Sequence, residues 1–158
     1  MSPSRSGHVL VQHSADVAVP FEIASDRMQR HLDLLLADVH HALEHGETIR
    51  TKLGARGGQL HIEKTVNMTI GTPLELTDRI VVPLWWEATG TQSLFPRMDA
   101  DLILADREGF GSALTFRGQY SPPLGPIGEL IDRLMLHRLA DATGRQFVEA
   151  AAKALSTP

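Results

Sequence analysis

The run His-Ala-Leu-Glu-His at residues 41–45 is the first place where residue types and spacing suggest chemistry. On a helix, His41 and His45 stand one turn apart with Asp38 on the same side, and the pattern matches the H-x-x-E-H arrangement of zinc hydrolases. The surrounding periodicity argues against a metal. Leu32, Leu35, Val39 and Leu43 form the apolar stripe of this segment, and both histidines fall nearly opposite it. A catalytic zinc needs a protected cleft and a further protein ligand. A solvated pair of histidines near a helix C-terminus, where positive charge is favourable, explains the pattern better, so no metal is expected. Gly-Ala-Arg-Gly-Gly at 54–58 lacks the lysine and spacing of a phosphate-binding loop. Asp99 and Asp101 share one strand face as hydrated carboxylates. His137, Arg138 and Asp141 read as ordinary helix surface charges. No serine–histidine–aspartate arrangement stands out.

These residues must be positioned by a recognisable series of elements. His8–Val17 alternates, with Val9, Val11, His13, Ala15 and Val17 on one face, and predicts a strand ended by Pro20. Apolar residues at three-and-four spacing from Met28 to Leu43 predict a helix over about 26–45, with residues 20–25 able to add an earlier turn. Asp26 and Gln29 resemble a capping box at its start. Residues 47–58 read as a glycine-rich loop. Four alternating stretches then predict antiparallel strands over 59–70, 79–89, 97–106 and 112–120. Pro126 fits the first turn of a long closing helix. The apolar stripe of that helix rotates along its length, and Gly144 could permit a bend.

The two tryptophans of the chain are neighbours in "VVPLWWEATG", residues 81–90. Adjacent strand residues point to opposite faces. Trp86 shares its face with Ile80, Val82 and Leu84, and Trp85 shares its face with Glu87 and Thr89. Trp86 is therefore assigned inward and Trp85 outward. Pro83 has no N–H to give a ladder, which predicts a strand near an edge or bulged there. The inward set also holds Met68, Met98, Phe116 and Tyr120. Such a set suits a filled core or a cavity wall, and the sequence leaves both open. His13 and Lys64 interrupt the inward faces. Lys64 must reach water or a counter-charge, and a hydrogen-bonded imidazole is expected at His13.

Composition removes several function classes. The chain has 158 residues, no cysteine and a formal net charge of −4. No disulfide, thiolate metal site or cysteine nucleophile can form. No basic surface for nucleic acid is expected, nor any membrane insertion, because no apolar run reaches spanning length. The start, residues 1–7, is short and polar and reads as a disordered lead without a signal sequence; residues 8–155 read as one cytoplasmic domain.

The segments "VVPLWWEATG", "LFPRMDADLILA" and "LTFRGQYSPPLGPIGELIDRLMLHRLADATGRQFVEAAAKAL" resemble the START-like, helix-grip proteins of the SRPBCC superfamily, which includes polyketide cyclase-like and lipid-transfer-like members. The resemblance covers roughly 58–155 and extends to the first strand. Residues 20–57 depart from it, because the family commonly has two short helices where this sequence reads as one helix and a loop. The resemblance implies an α+β fold in which a curved antiparallel sheet grips a long C-terminal helix. It implies a small hydrophobic or amphipathic ligand between the two and no cofactor. Trp86, Leu84, Met68, Met98, Phe116 and Tyr120 would line such a cavity; Tyr120 and His13 could orient a polar group, and Ile131 and Met135 would close it. Two other functions fit the same sequence. One is a cyclase or hydratase using His13 or Tyr120 as a proton carrier. The other is an interaction module with a filled core, whose outward face near Trp85 would meet a partner or a second copy. Metal analysis of the purified protein is expected to find no stoichiometric zinc, unchanged when His41→Ala and His45→Ala are combined; one zinc per chain lost in that variant would restore the hydrolase reading.

Overall fold

A computed structural model describes residues 8–30, 32, 50–53, 58–61, 65–89, 97–121 and 133–158. Strand β1 (Val9–Val17) leads into helix α1 over 21–30. The strands β2 (Arg50–Leu53), β3 (Gly58–His61), β4 (Thr65–Ile70), β5 (Leu74–Glu75), β6 (Arg79–Thr89), β7 (Met98–Asp106) and β8 (Ser112–Tyr120) follow, and helix α2 (Arg133–Ser156) closes the fold. The order in the main antiparallel sheet is β1-β8-β7-β6-β4, with β5 also pairing β6. β2 and β3 pair separately.

The alternation of the sequence sets the register. Four inward rows cross the sheet: Ala15–Leu114–Leu104–Ile80, His13–Phe116–Leu102–Val82, Val11–Gly118–Ala100–Leu84–Ile70 and Val9–Tyr120–Met98–Trp86–Met68. Val11, Ile80, Val82, Leu84, Leu102, Leu104, Leu114 and Phe116 are buried, while Gln12, Asp99, Arg117 and Gln119 of the intervening positions are exposed. The turn from β7 to β8 uses positive φ at Glu108, Gly109 and Gly111, the last two needing no steric concession.

Helix α2 lies over β1 and β8 and buries Phe147, Val148, Ala151, Ala152 and Leu155. Phe116 is the central contact. Its ring meets Phe147 at 5.5 Å with the planes tilted by 55°, a geometry worth about 0.5–1.5 kcal/mol beyond burial. A side chain at Gly118 would place its first carbon 2.9 Å from that ring and from the Met98 sulfur, and one at Gly144 would place its own 2.9 Å from the same ring. A strand glycine and a helix glycine thus flank one phenylalanine. Gly144 sits inside an uninterrupted helix, and close approach to Phe116 and Val11 accounts for it.

Several expectations are corrected. Helix α1 begins at 21, so residues 21–25 do add the earlier turn that the sequence allowed, and it buries Ala24 and Met28; the Ala24 N–H donates to the Pro20 carbonyl at 3.0 Å. Asp26 is therefore inside the helix, where it pairs with Arg30 instead of capping. The expected loop contains β2, which gains its regularity only by pairing with β3, and the single strand expected over 59–70 is two, β3 and β4. β6 lies one strand in from the edge, near it as Pro83 implied. Pro83 lies where pairing to β5 has ended at Val81 and pairing to β4 begins at Leu84, and its carbonyl accepts from Gly71 N–H at 2.7 Å. The buried stripe of α2 runs through Gly144, Val148, Ala151 and Leu155 beside Phe147. Residues 33–49, which carry His41 and His45, lie outside the described residues, as do Lys64, Pro126 and Ile131.

The ends are tied together. Arg27 of α1 donates through Nη1 to the Leu155 carbonyl at 2.7 Å and the Thr157 carbonyl at 3.2 Å, and the Ala18 N–H donates to Ser156 Oγ at 3.0 Å.

Gly144→Ala should destabilise the protein in urea unfolding. Alanine gains about 1 kcal/mol of helix propensity, but a forced contact with the Phe116 ring costs about 1–3 kcal/mol. Phe116→Leu should relieve the clash in the double variant. A Gly144→Ala protein more stable than the parent would refute the close-approach account.

Candidate functional site

The inward row Val9–Tyr120–Met98–Trp86–Met68 gathers most of the residues expected to line a cavity. Strand pairing alone brings them together, since they come from four strands and are up to 52 positions apart in sequence. Met98 and Tyr120 are 4% and 3% exposed. Trp86 and Met68 are placed by backbone register, opposite each other and continuous with that row. Leu84 is buried in the next row, and Phe116 in the row beyond. Gly118 and Ala100 share the row of Leu84, and the space above Gly118 is taken up by the Phe116 ring and the Met98 sulfur.

Helix α2 runs along β1, with Ser156 beside Ala18 and Asp141 beside His13. Its preceding turns, with Met135, therefore extend toward the end of the sheet that carries Val9 and Tyr120.

His13 is half-buried, and its Nε2 lies 2.8 Å from Asp141 Oδ1. The pair joins sheet to helix. It satisfies the polar interruption in β1 as a hydrogen-bonded imidazole, and it gives Asp141 a structural partner in place of the helix-surface role read from sequence. His137 is exposed. His13 and Tyr120 do not converge: Tyr120 pairs with Val9, four positions from His13, or roughly 13 Å along the strand.

Tyr120 has a distinctive environment. Its residue is buried, and burial raises its phenol above the ordinary value. Its hydroxyl makes no hydrogen bond with a described residue. Across the physiological range that hydroxyl is a neutral donor and acceptor on an otherwise apolar face. Among the described residues, no cluster of histidine or carboxylate groups could hold a metal ion.

The outer face forms a concavity that sequence reading missed. A hollow of about 380 Å³ is lined by Trp85, Pro83, Asp101, Arg117 and Leu10, among others. Trp85 is on the outward side as expected, with the Arg97 guanidinium 5.4 Å from its ring centre. Arg97 Nε also donates to Asp99 Oδ1 at 2.9 Å.

The chain has one tyrosine, so absorbance at 295 nm reads Tyr120 alone. Its folded-state titration should lie above that of the unfolded chain. The folded form then holds its proton more tightly, so stability should fall as pH rises beyond about 10, the unfolded value. Coincident folded and unfolded titrations would contradict this burial.

No family model matches the sequence, and neither does any curated protein. Solved structures do. Ara h 8.0201 superposes over 94% of this chain and 98% of its own at 14% identity, with a TM-score of 0.55. A conserved protein from Geobacillus kaustophilus covers 94% and 95% at 12% identity and a TM-score of 0.53. The Mll3558 protein from Rhizobium loti covers 94% and 97% at 16% identity and a TM-score of 0.50. Likeness at these identities is likeness of fold. Among the described residues no helix is long and apolar enough to cross a membrane. The chain has the START-like helix-grip fold that its second half resembles, an α+β architecture in which a curved antiparallel sheet packs on a long C-terminal helix.

Proposed function

We propose that a single domain, residues 8–155, binds a small hydrophobic or amphipathic molecule between the inward face of the sheet and the C-terminal helix, for carriage or sensing in the cytoplasm. The observation that carries this reading is the Tyr120 hydroxyl, a polar group with no hydrogen bond to a described residue on a buried face otherwise built from Met98, Leu84 and Phe116. The helix-grip fold supports it, since the fold presents a sheet face and a helix to one interior. Apolar ligand surface leaving water supplies about 25 cal/mol per Å² before association costs. Tyr120 adds one oriented hydrogen bond, worth about 1 kcal/mol. Trp86 and Met68 would continue the row as the apolar wall, Met135 and Ile131 would close it, and His13 stands on the same face in the middle of β1.

A cyclase or hydratase would need proton-carrying groups that meet at one point on the substrate. The separation of Tyr120 from His13 and the engagement of His13 by Asp141 favour binding over catalysis.

Titration with 8-anilinonaphthalene-1-sulfonate, followed by fluorescence, tests the reading. One saturable site is expected. Trp86→Ala should weaken it by about 10-fold or more, as loss of over 1.4 kcal/mol implies, and Tyr120→Phe by roughly 5-fold. Absence of saturable binding, together with a change in solution mass for Trp85→Ser, would instead favour the filled-core module that docks a partner or a second copy on its outer face.

A further inference from the structure

The outer face of the sheet holds a hollow that the inward reading does not use. Two outward rows border it: Leu10–Gln119–Asp99–Trp85 and Gln12–Arg117–Asp101–Pro83. Its floor is the backbone of Leu84, Ala100 and Gly118, whose side positions turn inward. The volume of about 380 Å³ lies within the range of small-ligand sites.

Its charges are arranged unevenly. Asp99 is engaged by Arg97, and Arg97 in turn lies against Trp85. This chain of contacts braces the indole as an apolar wall. Asp101 and Arg117 face each other in register on β7 and β8. Neither makes an ion pair or side-chain hydrogen bond with a described residue. The hollow therefore offers one acceptor carboxylate and one donor guanidinium on neighbouring strands, with an aromatic wall on the third. Leu10, 62% exposed, and Pro83 add apolar flanks.

A purely anionic guest would meet Asp101, and a purely cationic one would meet Arg117. A guest carrying both charged groups on one carbon satisfies both. Strands lie about 4.8 Å apart, so Arg117 on β8 and Trp85 on β6 are separated by roughly 10 Å across the sheet. That span matches a short zwitterion with a ring attached. We propose that this outer hollow binds a small zwitterion with an aromatic body, a free aromatic amino acid in chemical class. The guest's carboxylate meets Arg117, its ammonium meets Asp101 and its ring lies against Trp85. This site is separate from the inward cavity and does not depend on it.

The full chain, labelled with ¹⁵N, provides the test. L-Phenylalanine is titrated while the two indole N–H signals and the Arg117 Nε–H signal are followed. Saturable shifts at Trp85 and Arg117 are expected, with Trp86 largely unmoved. Phenethylamine and 3-phenylpropionate, which carry one charge each, should bind about 10-fold more weakly, the loss of one charged contact. Arg117→Gln and Asp101→Asn should each weaken phenylalanine by a similar factor while leaving the spectrum folded. Four results would overturn the proposal: no saturable shift at millimolar phenylalanine, equal binding of the single-charge analogues, variants that bind as the parent does, or shifts confined to Trp86. Concentration-dependent shifts at Trp85 without phenylalanine would also overturn it, because a second copy would then cover the face.

Discussion

Everything on the inward side depends on how closely the sheet and the C-terminal helix approach at Phe116. The ring is flanked by Gly118 on its own strand and by Gly144 on the helix, and it meets Phe147 from the side. Interiors are close-packed, so a methyl group added at either glycine must displace the ring or the helix. The separation fixed there propagates along α2. Toward the chain end the helix is held tightly by Val148, Ala151 and Leu155 and by the Arg27 clamp. Toward its start it passes Asp141 and its bond to His13, then continues over the Val9–Tyr120 end of the sheet. The packed contact at Phe116 and the Tyr120 hydroxyl therefore lie at different stations along one helix.

The same ladder of strands builds two unlike surfaces. On one side alternate residues place Leu84, Met98, Phe116 and Tyr120 in adjoining rows, nearly free of charge. On the other, the intervening residues place Trp85, Asp99, Asp101 and Arg117 in adjoining rows, rich in charge. Period-two alternation makes this separation strict: a shift of one residue in β6 would bring Pro83 and Trp85 inside and expel Val82 and Leu84. The apolar inner face suits ligand surface that water rejects. The outer face suits a guest whose charges water holds well, so any affinity there must rest on geometry more than on desolvation.

Sequence reading recovered what local periodicity encodes. The strands carrying Ile80 to Trp86, Met98 to Leu104 and Leu114 to Tyr120, and the faces of their residues, follow from alternation alone. It failed where meaning comes from a distant partner. Gly118 and Gly144 are 26 positions apart, and only the fold shows that they flank one ring. Pro83 marked a strand near an edge or bulged because its missing N–H is a local fact, but it could not say which. The break between β4 and β5 that accommodates it belongs to another strand. Asp26 imitated a cap because an Asp followed three residues later by Gln is a local pattern, whereas the helix start depends on burying Ala24 against the rest of the core. β2 is short and lacks alternation, so it looked like loop. His13 was legible as a polar residue needing a bond, but Asp141 as its partner was not. The outer hollow was invisible, because alternation tells which side a residue occupies and not how the twist of the sheet curves that side.

The contacts that tie the chain's two extremities have a consequence for how the molecule is made. Arg27 reaches a carbonyl 128 positions away, Ala18 bonds to a hydroxyl 138 positions away, and β1 finds its only strand partner among the described residues in β8. On the ribosome, the first strand emerges long before that partner exists. It waits with unpaired backbone until β8 has been added, and with an apolar stripe until α2 follows. Architectures dominated by such distant pairings assemble slowly, over milliseconds to seconds. The interval in which Val9, Val11 and Val17 stand uncovered is when nascent chains of this protein are most exposed to aggregation and to chaperones.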